Sequence, residues 1–435
     1  MSNATLSLPS LATFTRLDEL GLTPTKQHIT VQRAVIECRV TDPDNWCHQC
    51  GCPGTPTGTI RRTLAHEPFG WRPTRLLLRI RRYRCTSCGH TWRQDTTLAA
   101  DRRQKISRRG IRWALEGIVC QHLSVARIAD GLEVSWNTAN TAILQAGLDV
   151  LIDCPERFDQ VTTIGVDEHV WRHTSSGDKY VTVIVDLTPV REKTGPARLL
   201  DMVEGRSKQA LSGWLRQRPE AWRQRIEVVA MDGFTGYKSA TKEQLPAATT
   251  VMDPFHVVKL AGDALDRGRQ RVQQETMGRR GRKHDPLYRA RRLLLTGKAF
   301  LTEKQQARLQ ILFADARHKD VHQLWKVYQE LLKAYRHSNR GFGRRRLRRL
   351  IDLISQRVPA RLAELRKLGY TLHRRRDDVL AYFDYPRTSN GPTEAINGRL
   401  EHLRGSALGF RNLAHYIARS LLEAGGFRPL LHPQL

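Results

Sequence analysis

The spacing of hydrophobic residues changes along this chain of 435 residues, and the changes predict several kinds of structure. The segment TRLLLRIRRYRC, residues 74–85, alternates apolar and basic positions as a β-strand does. Residues 102–150 show the period of helices, and from residue 160 the two-residue period of strands returns. Residues 257–385 are arginine-rich and mostly helical in pattern, with breaks at GRRGRKHDP and HSNRGFGRRR. The chain is therefore expected to be a multidomain α/β protein.

The segment SVARIADGLEVSWNTANTAILQAG, residues 124–147, predicts two helices joined by a short turn, with Ser135 as the N-cap of the second helix. This pattern is typical of a helix-turn-helix, whose second helix enters the major groove of DNA, although plain helical bundles also contain such pairs. Glu133 stands in the turn where glycine is common. The residues expected to face DNA are Trp136, Asn137, Thr138 and Asn140.

Five strand-like segments follow residue 160: TTIGVDEHVW, KYVTVIVDLT, ARLLDMVEG, IEVVAMDG and TTVMDPFH. The first three are consecutive, and helical segments precede the fourth and the fifth. This order resembles that of the ribonuclease H-like fold. In a mixed sheet of this kind the first and fourth strands can be neighbours.

Two short cysteine motifs, CHQCG and CTSCG, predict one structural zinc site. Each is a C-x-x-C followed by glycine, which lets two thiolates wrap one side of a tetrahedral ion. We expect Cys47, Cys50, Cys85 and Cys88 to bind one Zn²⁺ in a zinc ribbon with a long hairpin. Disulfides are the alternative, although a cytosolic chain does not favour them. Cys38, Cys52 and His90 lie nearby, and one of them could substitute as a ligand, although core cysteines and a surface histidine are the favoured interpretation.

The charge of the chain indicates a polyanionic partner. Lysine and arginine number 72 against 43 acidic residues, which gives a net charge of +29. Such a surplus is typical of nucleic-acid binding. The run GFGRRRLRRL could be a solvated face, but we expect Arg344, Arg345 and Arg346 to lie along DNA phosphates. No secretion signal or membrane-spanning run is apparent in the sequence, so a cytoplasmic, nucleoid-associated protein is expected.

Three carboxylates are candidates for one metal centre. Asp167 and Asp232 end the first and fourth predicted strands, and Glu394 lies in the first turn of a late helix that begins near Pro392. Clustered carboxylates repel one another by several kcal/mol unless cations lie between them. Hard oxygen ligands favour Mg²⁺ or Mn²⁺, and two such ions would support phosphodiester chemistry.

Neighbouring residues have less specific interpretations. Strand alternation turns Glu168 away from Asp167. Asp186 and Asp201 read as charges at strand ends, although Asp186 could approach the metals. Trp171 is expected in the core, with base stacking as the alternative.

The stretches IGVDEHVW, KYVTVIVDL, EGRSKQAL, VVAMDGFTGYKSA, VMDPFHVVKL and SNGPTEAINGRLEHLRG carry a resemblance to a known family. With the zinc-ribbon and helix-turn-helix segments before them, the chain resembles the ISL-three family of bacterial insertion-sequence DDE transposases. The resemblance implies Mg²⁺-dependent DNA cleavage and strand transfer at the element's terminal inverted repeats. It implies the catalytic triad Asp167, Asp232 and Glu394, and a catalytic role for His256 of the DPFH motif, which could instead be an ordinary helix-start histidine.

Two departures from the family pattern, Ala395 and the pair Glu401-His402, concern contacts of the last helix and leave the triad intact. We expect double-stranded DNA as the partner, with the protein assembled on it as a homodimer or higher oligomer. A non-catalytic DNA-binding regulator and a nuclease that cuts without joining are the alternative functions. The expected domains are 1–98, the zinc ribbon; 99–158, the helix-turn-helix; 159–256, the first part of the catalytic core; 257–385, a helical insertion; and 386–435, the helices that complete the core.

Overall fold

A computed structural model of the protein describes residues 11–174 and 179–432. The chain divides into two compact units. The first combines residues 1–157 with residues 402–435, and the second comprises residues 158–401. Both units contain a five-stranded sheet and helices, so the chain is a mixed α/β protein, as its sequence predicts.

The first unit begins with a short helix and a five-stranded sheet. Its elements are α1 (Leu11–Phe14), β1 (Leu22–Ile29), β2 (Ala34–Val40), β3 (Gly54–Phe69), β4 (Arg72–Cys85) and β5 (Thr91–Arg93). The order is β1-β2-β4-β3, and β5 pairs with the end of β4. Strands β3 and β4 form the long hairpin that the sequence predicts, whereas β1 and β2 were not predicted. The alternate residues Leu76, Leu78 and Ile80 of β4 are buried, which explains the apolar and basic alternation.

Three helices follow the sheet: α2 (Arg108–Val119), α3 (Val125–Leu132) and α4 (Trp136–Gly147). A serine side chain caps the N-terminus of each, and the predicted N-cap Ser135 is confirmed for α4. The turn between α3 and α4 passes through Glu133, which adopts the left-handed conformation with φ of 53°. Residues 125–147 thus form two helices joined by a three-residue turn, as their hydrophobic pattern predicts.

The second unit contains a mixed sheet built from β6 (Thr163–Val170), β7 (Tyr180–Asp186), β8 (Arg198–Glu204), β9 (Val228–Met231) and β10 (Thr249–Met252). Its order is β10-β9-β6-β7-β8. Strands β6, β9 and β10 are parallel to one another, and β7 is antiparallel to β6 and β8. The predicted pairing of the first strand with the fourth is confirmed, because β6 lies beside β9.

Helices cover this sheet and form a large helical layer of their own. They are α5 (Thr188–Glu192), α6 (Lys208–Arg216), α7 (Glu220–Arg225), α8 (Thr235–Gln244), α9 (Pro254–Met277), α10 (Pro286–Arg289), α11 (Arg291–Leu294), α12 (Glu303–Ala314), α13 (Lys319–Tyr335), α14 (Arg340–Gln356), α15 (Ala363–Arg374) and α16 (Arg376–Asp384). Buried leucines and isoleucines of α9 and α11–α16 form one core. The break predicted at GRRGRKHDP is confirmed, but the second break is shorter than expected because Asn339 caps α14 and the arginine run lies inside that helix.

Helix α17 (Gly391–Ser406) leads from the second unit into the C-terminal residues of the first, and it begins beside Pro392 as predicted. Helices α18 (Leu413–Ala424) and α19 (Arg428–Leu431) complete the first unit. None of the helices in residues 11–174 and 179–432 is sufficiently long and apolar to span a bilayer.

Candidate functional sites

The register of the second sheet places three aspartates at one edge. Val166 of β6 is level with Met231 of β9, which is level with Met252 of β10. In each strand the next residue is an aspartate: Asp167, Asp232 and Asp253. Because the three strands are parallel, these residues leave the paired region at the same edge. The sequence predicted Asp167 at the end of its strand. Strand β6 continues to Val170 in its pairing with β7, so Asp167 lies inside the strand.

Asp167 is a buried carboxylate that accepts hydrogen bonds from two donors. It is 9% exposed, and its Oδ1 accepts a bond from the backbone N–H of Glu168 at 2.8 Å. Its Oδ2 accepts a bond from Asn397 Nδ2 on α17 at 3.0 Å. Burial raises the pKa of Asp167 to about 7, and the nearby charges of Asp232, Glu168 and Glu394 act in the same direction. A cation among these carboxylates would have the opposite effect on that pKa.

Glu394 reaches this cluster from the first turn of α17, where an acidic side chain is favourable to the helix dipole. The start of α17 is fixed by Asp253, whose Oδ1 accepts a 2.7 Å bond from the backbone N–H of Asn390. Asp253 is 2% exposed and also caps α9 through the N–H of Phe255. One buried carboxylate therefore ties the end of β10 to the start of α9 and to the segment that carries Glu394.

His256 lies in the first turn of α9, close to Asp253 and Glu394. One ligand atom from each of Asp253, His256 and Glu394 lies within 4.8 Å of the others. The Nε2 atom of His256 is buried and has no hydrogen-bond partner among the described residues. The structure thus brings His256 to Glu394, and the three side chains together could bind a metal ion. Asp253 begins the DPFH motif, but only His256 of that motif was predicted as a site residue, although the repeated ending Met-Asp after β9 and β10 was a signal for Asp253.

The loop that follows Asp232 is supported by a buried ionic network. The backbone carbonyl of Gly233 accepts a 3.1 Å bond from Arg375 Nη1. Arg375 is paired through Nε with Asp378 at 2.5 Å, and Asp378 also accepts bonds from Lys238 at 2.7 Å and Thr250 at 2.5 Å. Asp378 is 3% exposed, so its charge requires these donors. The network fixes the loop after β9 to α16 of the helical layer.

The other acidic residues near these strands have structural partners. Glu168 forms an ion pair with Arg206 at 3.1 Å. Asp186 pairs with Arg198 and lies opposite Ile164, at the other end of β6 from the carboxylate cluster. The side chain of Asp201 accepts a 2.7 Å bond from the indole N–H of Trp214. Trp171 is 2% exposed, which agrees with the core position expected for it.

The four predicted zinc ligands of the first unit lie together. One Sγ atom from each of Cys47, Cys50, Cys85 and Cys88 lies within 4.8 Å of the others. Three of the separations are 3.6 Å for Cys47–Cys88, 3.4 Å for Cys50–Cys85 and 3.5 Å for Cys50–Cys88. Four thiolates at about 2.3 Å from one tetrahedral ion are about 3.8 Å apart, whereas a disulfide needs about 2.05 Å. The cluster fits a tetrahedral metal ion and does not fit disulfides.

The surroundings of Cys85 favour its thiolate. Backbone N–H groups of Cys88 and Ser87 point at the sulfur of Cys85 and, with hydrogen bonds from Cys50 and Cys88, lower the pKa of Cys85 to about 6. For Cys88 the backbone N–H of His90 lowers the pKa, but the hydrogen bonds with Cys50, Cys85 and Cys47, together with desolvation, raise it to about 12. Cys52 lies outside the cluster and packs against its apolar side. Cys38 is a fully buried core residue, and burial raises the pKa of its thiol to about 12. Neither residue is needed to complete the four ligands.

The fold exposes some of the predicted DNA-facing residues of α4 and buries another. Trp136 is 50% exposed and Asn137 is exposed, whereas Thr138 is half-buried and bonded to Ser135. Asn140 is 6% exposed, so the prediction that it faces outward is wrong. The physical reason is helical periodicity: Asn140 falls on the buried stripe of α4 that also contains Ile143, Leu144 and Gly147.

Some arginines of the run in α14 form ion pairs within the second unit, and others are exposed to solvent. Arg344 pairs with Asp384 and Arg346 pairs with Glu330 within the second unit. Arg345 is exposed, and so are Arg348 and Arg349 on the following turn. A phosphate contact by Arg344, Arg345 and Arg346 stays a prediction, and the exposed Arg345 is the member best placed for it.

Comparisons with known proteins define the class of this chain. It is 25% identical over 377 residues to a transposase for insertion sequence element IS1001 from Bordetella parapertussis, covering 86% of this chain and 87% of that protein. It is 27% identical over 375 residues to a transposase for element IS1557 from Mycobacterium tuberculosis, covering 80% and 76%. The Drosophila P element transposase strand transfer complex aligns with a TM-score of 0.39 and 10% identity over 72% of this chain and 91% of that chain, a likeness too weak to support a conclusion.

The model of the ISL3 family of DDE transposases, described as transposase, matches residues 164–420, which is more than half of the chain. The protein belongs to this family. The predicted resemblance is therefore confirmed, and the chain is a DNA-processing enzyme of the transposase class. The matched residues begin in β6 and end in α18, so they include every member of the carboxylate cluster.

Proposed function

We propose that the protein cleaves the ends of an insertion sequence and joins them to target DNA, through a ribonuclease H-like sheet whose catalytic residues are Asp167, Asp232 and Glu394. The observation that carries this proposal is the shared register of β6 and β9, which brings two aspartates to one sheet edge beneath the helix of Glu394. The strand order β10-β9-β6-β7-β8, with β7 antiparallel, supports the ribonuclease H-like assignment.

We propose that two Mg²⁺ or Mn²⁺ ions bind among these carboxylates. Asp167, Asp232 and Glu394 would hold them, and Asp253 and His256 lie within reach of Glu394 as further ligands. Such ions supply an activated water or 3′-hydroxyl and a counter-charge for the leaving oxygen. The contribution of this chain is to hold the carboxylates at fixed positions before DNA arrives, through Asn397, the Asp253 cap and the Arg375–Asp378 pair.

The first unit supplies the proposed reader of the element's ends. One Zn²⁺ at the four cysteines would hold together the end of the β3–β4 hairpin that carries the two cysteine motifs. Helix α4 would enter the major groove through Trp136 and Asn137. The surplus of positive charge favours double-stranded DNA as partner. Assembly as a dimer or higher oligomer on DNA is part of the proposal, because two ends must be processed together.

The proposal is tested with purified protein and labelled DNA that carries an end of the element. We expect tighter binding to this DNA than to a scrambled duplex, affinity that falls steeply with salt, and Mg²⁺-dependent cleavage followed by joining to a target duplex. Cleavage without any joining would identify a nuclease, and selective binding without cleavage would identify a regulator; either result contradicts the proposal.

Asn397 gives a further prediction for the same reaction. Replacement by alanine removes the donor that holds Asp167 Oδ2, so we expect cleavage to fall about 10- to 100-fold and the Mg²⁺ concentration for half-maximal cleavage to rise. Titration of cleavage against Mg²⁺ and gel-shift binding of the same DNA measure the two effects. Unchanged Mg²⁺ dependence together with unchanged cleavage would show that the hydrogen bond has no role in the site.

A further inference from the structure

The tip of the β3–β4 hairpin carries an unusual residue. Only Gly70 and Trp71 connect Phe69 to Arg72, and both have positive φ, 56° for Gly70 and 68° for Trp71. Two-residue turns of this kind favour asparagine, aspartate or glycine, because a side chain in the left-handed region is strained. Trp71 is 97% exposed, so its indole gains nothing from packing in the unit. Neither the turn nor the core accounts for a tryptophan here.

Residues that break a local folding rule without a structural benefit are expected at functional surfaces. The charge around the hairpin tip indicates which kind of partner this surface binds. Arg72, next to Trp71, is exposed. Strand β2 runs parallel to β4 with Ala34 level with Thr74, so Arg33 also lies at this end of the sheet. An exposed aromatic ring beside the exposed side chain of Arg72 fits a nucleic acid, which offers a phosphate to the arginine and base faces to the ring.

The tip is also fixed to the turn that precedes α4. Arg75 pairs with the carboxylate of Glu133 at 3.1 Å, and Arg33 pairs with the other oxygen of the same carboxylate. Glu133 is the left-handed residue of the turn, two positions before the N-cap Ser135. A glycine would adopt this backbone more easily, but it could not bind both arginines. Glu133 therefore connects the start of α4 to β4 and to the residue that precedes β2.

Trp71 is four residues from Arg75, about 13 Å along the strand, which is less than half of the ~34 Å rise of one turn of DNA. At that distance the hairpin tip is within reach of a duplex that receives α4 in its major groove. We propose that Trp71 contacts the duplex adjacent to the segment contacted by α4, so that the hairpin tip and the helix form one two-part reader whose spacing Glu133 fixes. This inference rests on the proposed function of the first unit as the DNA reader.

The experiment compares three variants of the full chain by hydroxyl-radical footprinting and binding titration on element-end DNA. Trp71→Asn places a residue suited to the left-handed turn and removes the ring. Trp71→Phe retains an aromatic face. Leu408→Asn is the matched control, because Leu408 is also 97% exposed and also has a positive φ, of 54°. Zinc content and thermal midpoint verify that each variant is folded.

We expect Trp71→Asn to bind about 5- to 100-fold more weakly, the size of one aromatic contact with a base, and to lose a short protected patch beside that of α4. Trp71→Phe should keep that patch, and Leu408→Asn should bind as the wild type does. Wild-type affinity and footprint in Trp71→Asn, or an equal loss in Leu408→Asn, would overturn the inference and leave the proposed function intact. A change in self-association alone would assign the tip to a second copy of the chain instead. Absence of end selection in the wild type would remove the proposed function itself.

Discussion

Asp167→Asn will reduce cleavage of element-end DNA by about 10³-fold or more, while binding to the same DNA changes only a few-fold. Asparagine preserves the size of the side chain and can still accept a bond from Asn397, but it lacks the charge that a divalent cation requires. The carboxylate is buried among other acidic groups, and burial and their charges raise its pKa, so a divalent cation is the counter-charge that this position requires. Asp232→Asn and Glu394→Gln should have similar effects. The losses should not add, because the three groups act through shared metal ions.

The control for this prediction is the adjacent residue. Glu168→Gln removes a charge that pairs with Arg206 and has no direct bond to the cluster from its side chain, so cleavage should stay close to the wild-type rate. Cleavage and joining of labelled DNA with Mg²⁺, measured beside gel-shift binding, distinguish a loss of catalysis from a loss of DNA binding. An inactive Glu168→Gln with an active Asp167→Asn would show that the other carboxylate of the pair is catalytic. Normal cleavage by all four variants would exclude a three-carboxylate enzyme.

Loss of the cysteine cluster should have the second large effect, on folding. Cys85→Ser removes one of four thiolates whose sulfurs lie within 4.8 Å of one another. Structural zinc contributes about 10–16 kcal/mol of apparent binding free energy in small zinc domains, which is as large as the whole stability of a typical domain. We therefore expect the variant to lose its one zinc per chain. The end of the hairpin that pairs Gly54 with Cys85 should then unfold and become sensitive to proteolysis.

Cys52→Ser provides a matched control, because Cys52 lies next to the cysteine motifs and outside the four-thiolate cluster. This variant should retain one zinc per chain and the protease resistance of the wild type. Elemental analysis and limited proteolysis measure both properties. Full zinc in Cys85→Ser, or no zinc in the wild type, would show that the cluster is not a zinc site; loss of zinc in Cys52→Ser would show that the ligand set is different.

The local parts of this protein were predictable from the sequence. The cysteine spacing predicted the four-thiolate cluster, and the apolar alternation of residues 74–85 predicted the hairpin strand. Ser135 marked the start of α4, and the hydrophobic run before Asp167 and Asp232 marked their strands. Each of these signals extends over a few neighbouring residues, because caps, turns and strand alternation are set by local backbone geometry. The resemblance to a transposase family, confirmed by the match over residues 164–420, depended on such short stretches in a fixed order.

Other features depended on pairing between distant segments and appeared only in the tertiary structure. The register of three parallel strands placed Asp167, Asp232 and Asp253 at one edge of the sheet, and no local pattern defines the register between strands that helices separate along the chain. Asn397 reaches Asp167 across 230 residues, and Glu133 binds Arg33 across 100. Packing of α4 buried Asn140, which the sequence had assigned to the DNA face. The sequence determined the elements and the chemistry that each one carries, whereas the tertiary structure decided which side chains meet, because long-range contacts depend on how all elements pack together.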